Sequence, residues 1–154
     1  MTTDETFMRE ALALAVRAES AGEVPVGAVV VLDGEIVGRG ANAPLATADP
    51  SAHAEIIALR NAGAGLGNYR LNGSRLFVTL EPCLMCAGAM IHARIAEVVF
   101  AAHDPKTGAL GGAGNALDAI PANHRFSVRG GLLADEAGAL LRDFFRKRRK
   151  GAAG

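Results

Sequence analysis

The chain has 154 residues, 50% of them hydrophobic and 21% charged, with a formal net charge of zero. That length suits one domain around one core, and the composition excludes wholesale disorder. Glycine is abundant at 19 residues, about 12% against a typical ~7%, but without a Gly-X-Y period, which excludes collagen and points to glycine-rich loops.

Residues 4 to about 21 read as an amphipathic helix. Phe7, Ala11, Leu14, Ala15 and Ala18 recur at helical spacing, Thr2 and Glu5 offer a capping box, and Gly22 marks the end. Asp4, Glu5 and Glu10 stand where a signal peptide would be positive, and no apolar run approaches the ~20 residues of a membrane helix. The expectation is a cytoplasmic protein with no membrane partner. Val26–Leu32, the pair Asp33-Gly34 and Glu35–Arg39 then form a strong hairpin signal.

Asn42–Ser51, with two prolines and several small polar residues, reads as a loop. A helix is expected from about Ala52 to Asn61, ended by the glycines at 63, 65 and 67. Arg75–Leu80 reads as a buried strand, and Pro82 is placed to open a helix running to about Ala93. Glu97–Ala101 is a short strand, residues 102–125 a long glycine-rich loop, and Phe126–Arg129 a last strand. A terminal helix carries Ala137, Leu140, Leu141, Phe144 and Phe145 on one stripe. From Arg142 to Lys150 six basic residues face one acid, a segment of +5 that leaves −5 on the rest. Such a terminus suits either a localised polyanion contact or a solvated tail.

After the hairpin, strands alternate with helices, so the later strands should pair in parallel with helices on both faces. The expected fold class is α/β, a three-layer α/β/α sandwich on a mixed sheet of about five strands. It is expected to form a single domain over residues 1–154, with its basic helix at about 142–150.

The two cysteines, Cys83 and Cys86, form one Cys-x-x-Cys. In a reducing compartment this is a redox pair or a metal site, not a structural disulfide. His53-Ala54-Glu55 and Pro82-Cys83-Leu84-Met85-Cys86 each fall at the start of an expected helix. Together they offer an imidazole and two thiolates, three ligands that would leave a fourth zinc position for water. Helix N-termini favour thiolates. Glu55 fits a proton carrier better than a ligand. H-x-E followed by P-C-x-x-C is the established mark of zinc nucleobase deaminases, so this is a match to a pattern. A thioredoxin-like pair would leave His53 and Glu55 without a role. A structural zinc needs a fourth ligand, and His92, His103 and His124 are poorly placed to provide one.

The chain resembles the bacterial tRNA-specific adenosine deaminases, of the cytidine deaminase-like superfamily, over nearly its whole length. The resemblance is carried by Val24–Val29, Asn42, Ala52–Ile56, Asn68–Leu71, Val78–Ala89, Asp104–Gly108, Asn123-His124-Arg125 and Asp143–Arg146. The glycine run at 111–114 departs from the family pattern. The resemblance implies hydrolytic deamination of the wobble adenosine in a tRNA anticodon loop to inosine, typically in an arginine tRNA, by a homodimer. It implies one zinc per subunit, held by His53, Cys83 and Cys86, with Glu55 shuttling protons. It also places Asn42, Ala54, Asp104, Lys106, Asn123, Phe145, Arg146 and Arg149 against the anticodon nucleotides. Asn42 and Asp104 also read as turn formers, and Phe144 as core. Two rival readings are a small-molecule deaminase of the same superfamily, acting on guanine, cytosine or a nucleoside, and a non-catalytic zinc-stabilised RNA-binding module.

Overall fold

The apolar stripe of the first segment forms α1 (Thr3–Ser20), which buries Phe7, Met8, Ala11, Leu14 and Ala18 and stops before Gly22. The structure, a computed structural model, describes residues 3–119 and 121–153. Thr2, half of the expected capping box, lies outside them. β1 (Gly27–Leu32) and β2 (Glu35–Ala41) follow as the expected hairpin. Asp33 and Gly34 take φ of 52° and 77°, both positive as a two-residue type I′ turn requires.

The remaining elements are α2 (Pro44–Thr47), α3 (Ala54–Leu66), β3 (Arg75–Leu80), α4 (Leu84–Ala93), β4 (Glu97–Ala102), α5 (Ala116–Ala119), β5 (Ser127–Gly130) and α6 (Ala134–Ala153). The sheet order is β2-β1-β3-β4-β5. β1 runs antiparallel to β2 and β3, whereas β3, β4 and β5 are mutually parallel. Alternation along the strands divides the core in two. Val29, Val31, Phe77, Val99 and Ala101 pack with α1 and Ala137 of α6. Ala28, Val30, Leu76, Val78, Val98 and Phe100 pack with α3 and α4. The result is the expected α/β/α sandwich on a mixed sheet.

Several boundaries differ from the sequence reading. The 42–51 loop contains α2, because Pro44 fits a first helical position and the buried Glu23 carboxylate accepts the N–H groups of Leu45 (3.0 Å) and Ala46 (2.9 Å). α3 begins at Ala54, not Ala52, and runs through Gly63 and Gly65 to stop at Gly67, whose φ is 67°. Packing against the sheet outweighs the weak helix propensity of those two glycines. Pro82 lies outside α4, since Cys83 is the N-cap. The long 102–125 stretch holds α5 and a Leu110–Asn115 bridge. Of the terminal stripe, Ala137 is buried and Phe144 half-buried, but Phe145 is 42% exposed. A helix of 20 residues spans about 30 Å and a strand of six about 20 Å, so the last turns of α6 run past β4.

At the start of the parallel strands, Asp4, Arg75, Glu97 and Arg129 form a closed charge network. Arg75 donates to both Asp4 oxygens at 2.9 Å and through Nε to Glu97 at 3.0 Å, and Arg129 donates to the same two carboxylates. Partial burial pushes both acids upward, but the hydrogen bonds from Arg129 and Arg75 outweigh it, so both titrate below their ordinary values of 3.8 and 4.5. A depressed folded-state pKa gives stability that is present above the unfolded value and lost as pH falls through the folded one. Urea midpoints should therefore fall on acidification below about pH 4.5. Asp4→Asn should flatten that decline and cost about 1 kcal/mol at neutral pH. A variant as stable and as acid-sensitive as the parent would remove the network from the account.

Candidate active site

Two helix starts converge where β1 and β3 lie side by side. His53 is the N-cap of α3 and Cys83 the N-cap of α4, both with extended backbone and neither using its side chain as a cap. Asn42 does that work for α3: the Ala54 N–H donates to Asn42 Oδ1 at 2.8 Å. The His53 ring is thereby left to point off the helix end. Cys86 lies three residues beyond Cys83, on the same face of the first turn. Gly38 and Gly40 let α3 press onto β2, since a Cβ on Gly40 would lie 2.1 Å from the Ala54 carbonyl oxygen.

His53 Nδ1 stands 3.6 Å from Cys83 Sγ and 3.4 Å from Cys86 Sγ, and the three donor atoms all lie within 4.8 Å of one another. Tetrahedral zinc, with bonds of about 2.0–2.1 Å to nitrogen and 2.3 Å to sulfur, sets an N···S edge of about 3.5 Å. The donor set and its spacing therefore fit zinc, with room for a fourth ligand. Among the described residues no fourth histidine, cysteine or carboxylate joins the cluster. His92 is exposed on α4, and His124 hydrogen-bonds the Ile95 carbonyl at 2.6 Å.

The protons of the cluster are unevenly held. A hydrogen bond from Cys86 and then one from His53 bring the Cys83 thiol down to about 4, against the effect of burial. The same bond to Cys83, with burial, pushes the Cys86 thiol well up, and the Cys83 hydrogen bond raises His53. A cation here takes over sites that protons otherwise fill, so metal binding releases protons. Glu55, one residue inside α3, is buried, and loss of water pushes its carboxyl up to about 7. A carboxyl poised near neutrality beside a three-donor metal site suits proton transfer in both directions.

The other residues singled out by sequence fall in three places. Asn42 and Ala54 sit together at the α3 start through their hydrogen bond. Asp104, Lys106, Phe145, Arg146 and Arg149 line one cleft of about 800 Å3 between the 103–107 turn and α6. Asn123 is apart, on a second cleft of about 490 Å3 with Tyr69 and Leu84, its carbonyl accepting from Arg94 at 3.3 Å. Asp104 also serves as a turn former, since Oδ1 accepts the N–H groups of Lys106 (3.0 Å) and Thr107 (3.1 Å). Burial raises its carboxyl, but these bonds outweigh burial and hold it below its ordinary value. The cleft also takes in His103 and Arg142, the first residue of the basic terminus; sequence reasoning missed the buried carboxylates of Glu23 and Glu81. An acid one or two residues before a proline within apolar sequence, as in Glu23-Val24-Pro25 and Glu81-Pro82, is the signal that could have drawn attention to those two.

Residues 1–102 match the family described as the cytidine and deoxycytidylate deaminase zinc-binding region. A tRNA-specific adenosine deaminase of Haemophilus influenzae is 53% identical over 148 residues, covering 96% of this chain and 86% of its own. One from Bacillus subtilis is 47% identical over 150 residues, covering 97% of this chain and 93% of its own. A solved structure from studies of A-to-I editing by tRNA:A34 deaminases at the wobble position superposes with a TM-score of 0.84 at 42% identity. It covers 88% of this chain and 99% of that one.

Removing one donor tests the ligand set. Cys86→Ala should lose bound zinc on dialysis against chelator and melt at a lower temperature than the parent, because bound metal contributes to folding. Metal analysis with a thermal melt checks this. A full equivalent of tightly held zinc in the variant would exclude Cys86 as a ligand.

Proposed function

The chain belongs to the cytidine and deoxycytidylate deaminase zinc-binding family and is a zinc enzyme, and on that premise we propose that it converts the wobble adenosine of a tRNA anticodon loop to inosine. The observation that carries the chemistry is the His53–Cys83–Cys86 cluster with the buried Glu55 carboxyl beside it. His53, Cys83 and Cys86 would hold one zinc per subunit. When bound, zinc lowers the pKa of water to about 7 and so supplies a nucleophile at neutral pH.

The reaction adds water across the N1=C6 bond of adenine and expels the amino group as ammonia. Glu55 takes one proton of the attacking water and delivers it to N1 of the base, then moves the remaining proton from the new C6 hydroxyl to the departing amino nitrogen, leaving a C6 carbonyl. A carboxyl near 7 is suited to both directions of transfer. Asn42 holds the start of α3, and with it His53 and Glu55, against the 42–51 loop. The target base must leave its stack, which costs least in a single-stranded loop.

The cleft that unites Asp104, Lys106, Phe145, Arg146 and Arg149 favours RNA over a free base or nucleoside. Its cations suit phosphates and its exposed Phe145 ring suits stacking on an unpaired base. The RNA is a tRNA anticodon stem-loop, of an arginine tRNA on the resemblance, and the compartment is the cytoplasm. A homodimer is supported by exposed apolar residues of α3 and α4, Leu66 at 43% and Leu84 at 68%, and by Tyr69 just after α3 at 69%. No helix among the described residues is long and apolar enough to cross a membrane.

Glu55→Ala should keep zinc and fold while inosine formation falls by roughly 10²–10⁴-fold or more, the usual loss of general acid–base work. Metal analysis and a deamination assay on one preparation check it, and near-parental activity in a zinc-loaded variant would exclude Glu55 as the proton carrier. Ending the chain after Phe145 removes Arg146 to Lys150, five cations. Each neutralised phosphate contributes about −0.7 to the salt slope on single strands and −0.9 on duplex. The truncated enzyme should bind a stem-loop more weakly, with a shallower salt dependence and unchanged zinc. Equal affinity and slope in a folded variant would make these cations merely solubilising.

A further inference from the structure

The end of β3 carries a carboxylate that the proton chemistry above does not use. Glu81 directly precedes Pro82-Cys83, yet its side chain is wholly buried and turned away toward the long loop after β4. Its Oε1 accepts the N–H of Asp104 at 3.0 Å. Its Oε2 accepts those of Leu110 at 3.0 Å and Gly112 at 2.8 Å. Three N–H groups, drawn from both ends of one loop, thus converge on one buried carboxylate. The glycines follow from this convergence. A Cβ on Gly108 would lie 2.3 Å from Glu81 Oε2, and one on Gly112 would lie 2.6 Å from Oε1. Of the run that departs from the family pattern, Gly112 packs against the acid, whereas Gly111 and Gly114 face open space.

The loop held in this way presents Asp104, Lys106 and Thr107 to the cleft, opposite Arg146 and Arg149. Hydrogen bonds to a buried charged acceptor are stronger than neutral ones, and they fix direction as well as distance. We propose that Glu81 is a positioning residue for the RNA substrate: its carboxylate, through Asp104, Leu110 and Gly112, holds the 103–112 loop in the shape that turns Asp104 and Lys106 into the cleft. It sets RNA affinity without touching RNA. The assignment rests on the RNA-deaminase reading above.

The test uses the full zinc-loaded chain and an anticodon stem-loop with adenosine at the wobble position. In Glu81→Gln, an NH2 group replaces one acceptor and faces backbone donors. KM for the stem-loop should rise about tenfold or more, as displacement of binding groups does. The single-turnover rate at saturating RNA should change less than threefold, with zinc unchanged. Amide exchange at Asp104, Leu110 and Gly112 should accelerate. Gly112→Ala leaves Glu81 in place but forces the loop off it, and should reproduce the KM effect if the first variant fails to fold. Unchanged KM in the folded variants would overturn the proposal. So would loss of zinc in Glu81→Gln, which would make Glu81 a support of the metal segment. A parent protein that forms no inosine would count against the deaminase reading instead. The exchange rates alone would then decide whether Glu81 orders the loop.

Discussion

Two helix N-termini must end within one metal ion's reach of each other, and the rest of the structure is arranged around that requirement. The sheet meets it by placing β1 beside β3, so that the helices following the hairpin and β3 start at neighbouring points. α3 reaches that point because Gly38 and Gly40 remove the side chains that would hold it off β2. Residues at helix starts usually spend their side chains on capping. Here Asn42 caps α3 from another segment, so His53 is left to serve the cluster. The start of α4 offers its positive pole to the thiolates of Cys83 and Cys86.

Loops at the carboxyl ends of strands carry the substrate side of such folds. Two of them here are hung from buried acids. Glu23 holds the 42–51 segment through the start of α2, and Glu81 holds the 103–112 loop. Both carboxylates lie in the interior and accept backbone N–H groups, an arrangement that satisfies otherwise orphaned donors while fixing loop shape. At the opposite end of the sheet, the Asp4–Arg75–Glu97–Arg129 network ties the first helix to three parallel strands. Chemistry and structural closure thus occupy opposite ends of the strands.

The parts that depend on local rules were legible in the sequence. Asp33-Gly34 announces its turn, the β-branched run Val29–Val31 before it announces a strand, and the H-x-E and P-C-x-x-C motifs announce the cluster. What was illegible depends on partners distant in the chain. Glycines 63 and 65 look like helix ends until the sheet is beneath them. α2 needs Glu23, some twenty residues earlier, to cap it. The glycine-rich loop looks unstructured until Glu81 supplies its missing acceptors. Phe145 fits the apolar stripe by spacing, but the helix outruns the sheet that would have covered it. Burial by length of element is not encoded in periodicity.

The central claim is that this zinc site serves a base presented by folded RNA. It is tested most directly by offering the zinc-loaded chain one mixture of an adenosine-wobble anticodon stem-loop, free adenosine, cytidine and guanine, and following each by mass spectrometry. The wobble adenosine alone should become inosine, while the free base and nucleosides persist. Deamination of guanine or of a free nucleoside, with the stem-loop untouched, would contradict it.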